Sequence, residues 1–189
     1  MLDRRRFVAS LLADRGDLLV VSGLGTPTFD VAACGDHPLN FYLWGAMGSA
    51  AMVGLGLALA RPDLRVAVIT GDGEALMGLG SLATIGARAP RNLAIVVLDN
   101  GHYGATGFQP SHTEAGIDLV AVANACRFRR AALVEQQEGA GEARALLRLG
   151  EGPIFILARV KAERLPRVLT SRDGHAIKHR FMQALAKRA

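Results

Sequence analysis

Cysteine is scarce: Cys34 and Cys126 are the only two in 189 residues, far apart and outside any CxxC or other metal-type spacing. That excludes a disulfide framework, and it excludes an iron–sulfur cluster held by this chain alone. The two thiols are expected as buried core residues in a reduced compartment, which predicts a cytoplasmic protein. Aromatic residues are few as well, at 5%. The formal charge of +5 therefore lacks the aromatic interleaving of nucleic-acid recognition motifs. Its basic residues are scattered, densest at Arg4-Arg5-Arg6 and in residues 127–130 and 178–188. They are expected on a solvated or partner-facing surface, where positive potential draws in anionic ligands. A long apolar run is also missing. Residues 47–60 are strongly apolar but fall short of the ~20 needed to span a bilayer. Gly48, Gly54 and Gly56 instead predict a tightly packed internal or interface helix. After Arg4-Arg5-Arg6, the apolar residues 7–13 are broken at once by Asp14-Arg15, with no clear cleavage site. An amphipathic first helix is the better reading than an export signal. Neither a nucleic acid nor a membrane is expected as a partner.

Half of the residues are apolar and 21% are charged, enough for a real core inside a solvated surface. Val66-Ala67-Val68-Ile69-Thr70 and Leu93-Ala94-Ile95-Val96-Val97-Leu98 are short apolar runs rich in β-branched residues. That is the pattern of strands buried on both faces. Between them, residues 75–87 carry Leu76, Leu79, Leu82, Ala83 and Gly86 at helical spacing, stopped by Arg88-Ala89-Pro90. Strand, helix, strand at this length predicts one right-handed βαβ crossover with parallel strands. The strands end in Gly71-Asp72-Gly73 and Asp99-Asn100-Gly101, with Asn100 twenty-eight positions after Asp72. Both turns then lie beyond carboxyl ends of strands, the edge where open α/β sheets bind ligands.

The residue types suit one chemistry. Magnesium takes about six oxygens at roughly 2.1 Å, often one or two from protein and the rest from phosphates and water. Asp72 offers a carboxylate, Asn100 an amide oxygen, and the turn after Asn100 a backbone carbonyl. Gly71 and Gly73 permit a tight turn and a close approach by a diphosphate. A helix beginning near Glu74 adds free N–H groups and a positive dipole end. A lone GDG is only a common strand-to-helix turn. The second acid–amide turn after the second strand is what lifts it above that reading.

Three segments carry a resemblance: Asn40-Phe41-Tyr42-Leu43-Trp44-Gly45-Ala46-Met47-Gly48, Gly80-Ser81-Leu82-Ala83-Thr84-Ile85-Gly86, and Asp99 through Pro110. They resemble the thiamine-diphosphate 2-oxoacid decarboxylases, specifically the sulfopyruvate decarboxylase β subunit and the C-terminal part of phosphonopyruvate decarboxylase. The likeness runs from about residue 18 to residue 160, with a weaker echo in Arg180-Phe181-Met182. It implies a single three-layer α/β domain, a mostly parallel sheet with helices on both faces, over residues 1–165. Residues 166–189 are then a linker and a helix packed on the same domain, with Ile177, Phe181, Met182 and Leu185 on one side of that helix.

The resemblance also implies roles. Asp72 and Asn100 would ligate Mg²⁺ through side chains, and His102 through its backbone carbonyl. Gly73, Glu74 and Ala75 would meet the diphosphate with backbone N–H groups, with Gly71 in the same turn. Gly25 and Thr26, after the strand at residues 18–22, match a second loop that touches the diphosphate. The Gly45 carbonyl would accept a hydrogen bond from the cofactor's 4′-amino group. Met47 would sit beneath the bend between the cofactor rings. Gln109, in Thr106-Gly107-x-Gln109, is the polar candidate at the substrate, ahead of His102 and His112. Tyr103 and Phe108 are expected as wall residues. Glu74 departs from the more usual Ser or Ala after GDG; beside a diphosphate its carboxylate is expected to face outward.

One part of the implied site is not here. In the family a glutamate on a companion pyrimidine-binding domain bonds the cofactor N1′, and 189 residues fit one domain rather than two. The resemblance thus implies a separate pyrimidine-domain subunit, alongside self-association. The expected activity is decarboxylation of a small anionic 2-oxoacid, 3-sulfopyruvate first and 3-phosphonopyruvate next. A carboligase of the acetolactate synthase type and a non-catalytic ThDP-binding regulatory subunit are the alternatives.

Overall fold

The strands predicted from the apolar runs form the middle of one parallel sheet. In the computed structural model, which describes residues 1–188, β1 (Leu19–Ser22), β2 (Asn40–Tyr42), β3 (Val66–Gly71) and β4 (Leu93–Asp99) precede two short strands, β5 (His102–Tyr103) and β6 (Gln109–Pro110). β7 (Arg130–Val134) and β8 (Ile154–Arg159) follow. Six strands make the main sheet in the order β2-β1-β3-β4-β8-β7, every pair parallel. β5 and β6 form a separate antiparallel pair.

The helices are α1 (Arg4–Leu12), α2 (Thr26–Ala33), α3 (Ala50–Ala60), α4 (Asp72–Met77), α5 (Gly80–Arg88), α6 (Leu119–Ala125), α7 (Ala140–Leu149) and α8 (Gly174–Ala186). Strand alternation assigns them to two faces. Val20, Ala67, Ile69 and Val96 point to the side covered by Phe7 and Leu11 of α1, Val31 of α2 and Leu147 of α7. Leu19, Val21, Val68 and Ile95 point to the side covered by Leu55 of α3, Ile85 of α5 and Leu119 of α6. The result is the three-layer α/β fold with a parallel sheet that the resemblance implied. Because both sheet faces are covered, β3 and β4 read as unbroken apolar runs.

Topology sets the site. From β1 the chain turns outward to β2, then crosses back to β3, so the strand order reverses between β1 and β3. The loops after β1 and β3 therefore part on opposite faces at the same carboxyl edge and leave a crevice there. Gly71 pairs with Leu98 in register, so the GDG turn and the turn after Asp99 leave the edge side by side.

Several expectations need correction. The helix expected over residues 75–87 is two helices broken at Gly78. There the backbone passes against Gly48, and a Cβ on Gly78 would stand 2.2 Å from the Gly48 carbonyl oxygen. Cys34 is exposed and Cys126 half-buried, because each ends a helix (α2 and α6) rather than facing the core. Met182 is 57% exposed. The buried stripe of α8 is Ile177, Phe181 and Ala184, and Met182 lies one step around the helix from it. Arg4 is buried rather than part of a solvated basic surface. Among the described residues, no helix is long and apolar enough to cross a membrane.

Residues 161–173 run as an irregular strap across the carboxyl edge. Arg5 Nη2 donates to the Pro166 carbonyl at 2.7 Å and Trp44 Nε1 to that of Ser171 at 2.8 Å. Arg164, Arg167 and Arg172 stack over Phe108, Phe29 and Trp44 at 5.3, 5.8 and 5.4 Å.

Candidate cofactor site

Asp72 opens α4 directly from β3, with its carboxylate turned down into the crevice and buried. Ser111 Oγ donates to Asp72 Oδ2 at 2.5 Å, and Thr113 Oγ1 reaches the same atom at 3.4 Å and Asp99 Oδ1 at 2.7 Å. Two carboxylates thus share one hydroxyl bridge. Burial pushes the Asp72 carboxyl above its ordinary value; the Ser111 hydrogen bond opposes the shift and the Asp99 charge adds to it. Asp99 Oδ2 has no hydrogen-bond partner, with Arg159 Nε no closer than 3.7 Å. Such a pair is what a nearby cation would relieve.

Asn100 is also buried. Its Oδ1 accepts the His102 backbone N–H at 3.0 Å, and His102 Nδ1 lies 2.9 Å from the Asn100 carbonyl oxygen. The imidazole stacks on Phe108 with ring centroids 4.7 Å apart. That tight turn, with Gly101 at φ +69°, keeps the amide side chain beside Asp72's end of the sheet.

Above these residues lies a cavity of about 630 Å³. Gly25, Thr26, Met47, Gly71, Asp72, Gly73, Glu74, Asn100 and His102 all line it. Leu76, Met77, Leu79 and Ile117 add apolar wall. Gly25, at φ +83°, has no atom that a Cβ would meet, so the loop after β1 presents bare backbone to the crevice. Tyr103 and His112 are wall residues, joined by a 3.2 Å contact from Tyr103 Oη to His112 Nδ1. Gly45, Ala75 and Gln109 do not line the cavity. Gln109 is exposed, and its amide folds back onto Thr106, donating to the Thr106 carbonyl at 3.1 Å.

Glu74 does not face outward. It is 5% exposed, and its Oε2 accepts the Leu24 N–H at 2.8 Å and the Thr70 hydroxyl at 2.9 Å. Its Oε1 accepts the Ala50 N–H at 3.4 Å. One carboxylate therefore ties the loop after β1, the end of β3 and the start of α3. Gly23 makes room: a Cβ there would stand 2.0 Å from Glu74 Oε2. Sequence reasoning missed this strut, and it missed Ser111 and Thr113, though their alternation around His112 signals two hydroxyls on one side.

The residues fit a magnesium diphosphate. Among the described residues no cluster of three His, Cys, Asp or Glu side chains forms. A magnesium ion completed by phosphate oxygens requires none, needing only one or two protein carboxylates. Buried Asp72 and the Asn100 amide supply the hard oxygen character, and the bare Gly25 backbone supplies the approach.

The family description "Thiamine pyrophosphate enzyme, C-terminal TPP binding domain" matches residues 23–158. The chain belongs to the thiamine pyrophosphate enzymes. Within the family it is 36% identical over 183 residues to the sulfopyruvate decarboxylase subunit beta of Methanothermobacter thermautotrophicus, covering 97% of this chain and 95% of that one. It is 44% identical over 140 residues to the phosphonopyruvate decarboxylase of Streptomyces viridochromogenes, covering 74% of this chain. There the chain spans 35% of the relative's length. Among solved structures, benzoylformate decarboxylase from Polynucleobacter necessarius superposes with a TM-score of 0.70 at 17% identity, over 87% of this chain and 34% of that one, a likeness of fold. The stretch matched to the thiamine pyrophosphate enzymes begins in the loop after β1 and ends in β8, so it holds both metal-side turns but leaves out α1 and the strap.

Proposed function

We propose that the chain is the ThDP- and Mg²⁺-binding subunit of a two-subunit 2-oxoacid decarboxylase. The observation that carries this is Asp72 and Asn100, side by side at the ends of adjacent parallel strands and facing one cavity with Met47 and the Gly25 loop. Asp72, the Asn100 amide and the His102 carbonyl hold the metal. Backbone N–H groups of Gly73, Glu74 and Ala75 and of the Gly25-Thr26 loop hold the diphosphate, with Gly71 shaping the turn. Met47, which lines the cavity, holds the rings; Gly45 lies outside that lining, and its carbonyl contact rests on the resemblance alone. Thiamine diphosphate, when bound, supplies the electron sink for loss of CO₂ from a 2-oxoacid.

The substrate is a small anionic 2-oxoacid, 3-sulfopyruvate first and 3-phosphonopyruvate second. The near full-length match to a sulfopyruvate decarboxylase β subunit supports that order, and the higher local identity to a phosphonopyruvate decarboxylase keeps the second acid in play. Gln109 approaches the substrate only if exposed β6, which carries it, packs against a partner. That partner is a pyrimidine-domain subunit bearing the N1′ glutamate, a reading supported by the β-subunit relative. Self-association of the chain accompanies it in a cytoplasmic assembly. The inward placement of Glu74 counts against a non-catalytic binding subunit, and no residue in the cavity favours a carboligase.

The test is to co-purify the chain with its partner, add Mg²⁺ and ThDP, and follow CO₂ and aldehyde from 3-sulfopyruvate and 3-phosphonopyruvate. Aldehyde formation from either acid supports the reading and ranks the substrates. A reconstituted, cofactor-loaded complex that releases CO₂ from neither acid refutes it.

A further inference from the structure

The matched stretch leaves out α1, yet α1 sends one residue into the site. Arg4 is 2% exposed and lines the main cavity. It also lines a second cavity of about 320 Å³. The two cavities share Arg4, Gly25, Thr26, Asn100, Gly104 and Ala105. Met47, Leu76, Met77 and Leu79 line only the first. The junction therefore lies where Asn100 and the Gly25-Thr26 loop line both cavities.

The charge there is unbalanced. Arg4 Nε donates to Asp30 Oδ2, and Arg5 Nε reaches Asp30 Oδ1 at 3.3 Å. Two guanidinium groups thus face one buried carboxylate, leaving a net positive charge beside the cavities. Arg4 Nη1 is buried and has no hydrogen-bond partner. A buried cationic donor left unsatisfied is costly, and the usual relief is an anion. Further out, the second cavity holds Arg164 and Arg167 against Glu163, so its sum is positive as well. Next to Arg4 the loop at Gly25, which lines the same junction, opens α2 with no side-chain cap.

We propose that Arg4 is a cofactor-binding residue that donates its free guanidinium edge to the terminal phosphate of the diphosphate. Asp30 holds the guanidinium by Nε and fixes its plane, leaving the Nη donors for the phosphate oxygens, a geometry guanidinium serves better than ammonium. The chain thereby distinguishes a diphosphate ester from a monophosphate, because only the former reaches the junction. This inference rests on the cofactor reading above.

The test is an equilibrium titration of the full chain, co-purified with its partner, in excess Mg²⁺ with ThDP, inorganic pyrophosphate and thiamine monophosphate. The variants are Arg4→Lys and the paired Arg4→Met/Asp30→Asn, which leaves no lone buried carboxylate; their cofactor-free melting temperatures show that they fold. The expected result is a loss of about 10- to 100-fold in affinity for ThDP and pyrophosphate in the paired variant, the range of a charge-assisted hydrogen bond. Arg4→Lys recovers part of that loss, and thiamine monophosphate shifts less than twofold. Where the paired variant does not fold, Arg4→Lys decides alone: unchanged ThDP affinity overturns the proposal. Equal losses for ThDP and the monophosphate overturn it too, because they mark a structural role. A change confined to the KM of the 2-oxoacid, with ThDP affinity intact, assigns Arg4 to the substrate anion instead and also overturns it. If the wild-type chain binds neither ThDP nor pyrophosphate, the cofactor reading itself falls; wild-type binding with unaffected variants sinks only the role of Arg4.

Discussion

Replacing Glu74 with alanine removes the acceptor for three donors at once: Leu24 N–H at 2.8 Å, Thr70 Oγ1 at 2.9 Å and Ala50 N–H at 3.4 Å. A donor left buried without a partner costs about 1–3 kcal/mol. Leu24 is only part-buried, so its share falls at the low end. The Ala50 bond is long and contributes little directly. The alanine variant recovers the cost of burying a carboxylate, which offsets part of the loss. Together these give a destabilisation of about 2–4 kcal/mol for Glu74→Ala. Glu74→Gln offers one carbonyl oxygen in place of two carboxylate oxygens and turns its NH₂ toward either the Leu24 or the Ala50 N–H. Its expected cost is about 1–3 kcal/mol, since one donor still loses its acceptor. The assay is urea denaturation of the cofactor-free chain, with Glu135→Ala, at an exposed position, as the control. Because the carboxylate also fixes the loop that opens α2, Glu74→Ala should weaken ThDP binding as well. A Glu74→Ala midpoint and slope matching those of Glu135→Ala would refute the strut.

Gly23→Ala places a Cβ 2.0 Å from Glu74 Oε2 and 2.5 Å from Thr70 Oγ1, so it should expel the same carboxylate. It should cost about 1–3 kcal/mol by denaturation, and in a double-mutant cycle its cost should largely vanish once Glu74 is alanine. Asp72→Asn should stabilise the cofactor-free chain at neutral pH by about 0.5–2 kcal/mol while abolishing Mg²⁺-dependent ThDP binding. The sign follows from the raised Asp72 carboxyl. Its stabilising contribution is full below the ordinary value of 3.8 and is lost as pH rises through the higher folded value, so wild type and variant converge in acid and part above it. Melting temperatures across that window check it. Gly86→Ala brings a Cβ to 1.6 Å from the Cys126 carbonyl oxygen, forcing α5 off α6. It should destabilise by about 1–3 kcal/mol or more while the folded fraction keeps its ThDP affinity, as measured by denaturation and titration on one sample.

How far the sequence reaches depends on the range of the interaction. β3 and β4 are legible because strands covered on both faces need apolar residues at every position. Asp72 and Asn100 are legible because their spacing is the length of one crossover, so local elements alone bring them together. Glu74 is not legible, since a helix pattern marks where α4 begins but not what lies above it. The missing Cβ of Gly23, far away in the chain, decides the direction of the carboxylate. The break at Gly78 has the same origin, in the Gly48 backbone pressed against it. Ser111 and Thr113 reach Asp72 across 39 and 41 positions, beyond any periodicity. Arg4 sits in a run of three arginines that reads as surface, and only the fold, which sets Asp30 beneath it, separates it from its neighbours.

The central claim is that Asp72 and Asn100 assemble a magnesium-dependent ThDP site on this chain. Equilibrium dialysis of ThDP against the chain, with Mg²⁺ and then with EDTA, for wild type and Asp72→Ala, tests it most directly. The account predicts saturable binding in the wild type that EDTA removes and that Asp72→Ala lacks. Binding that survives EDTA, or that Asp72→Ala retains at wild-type strength, contradicts it.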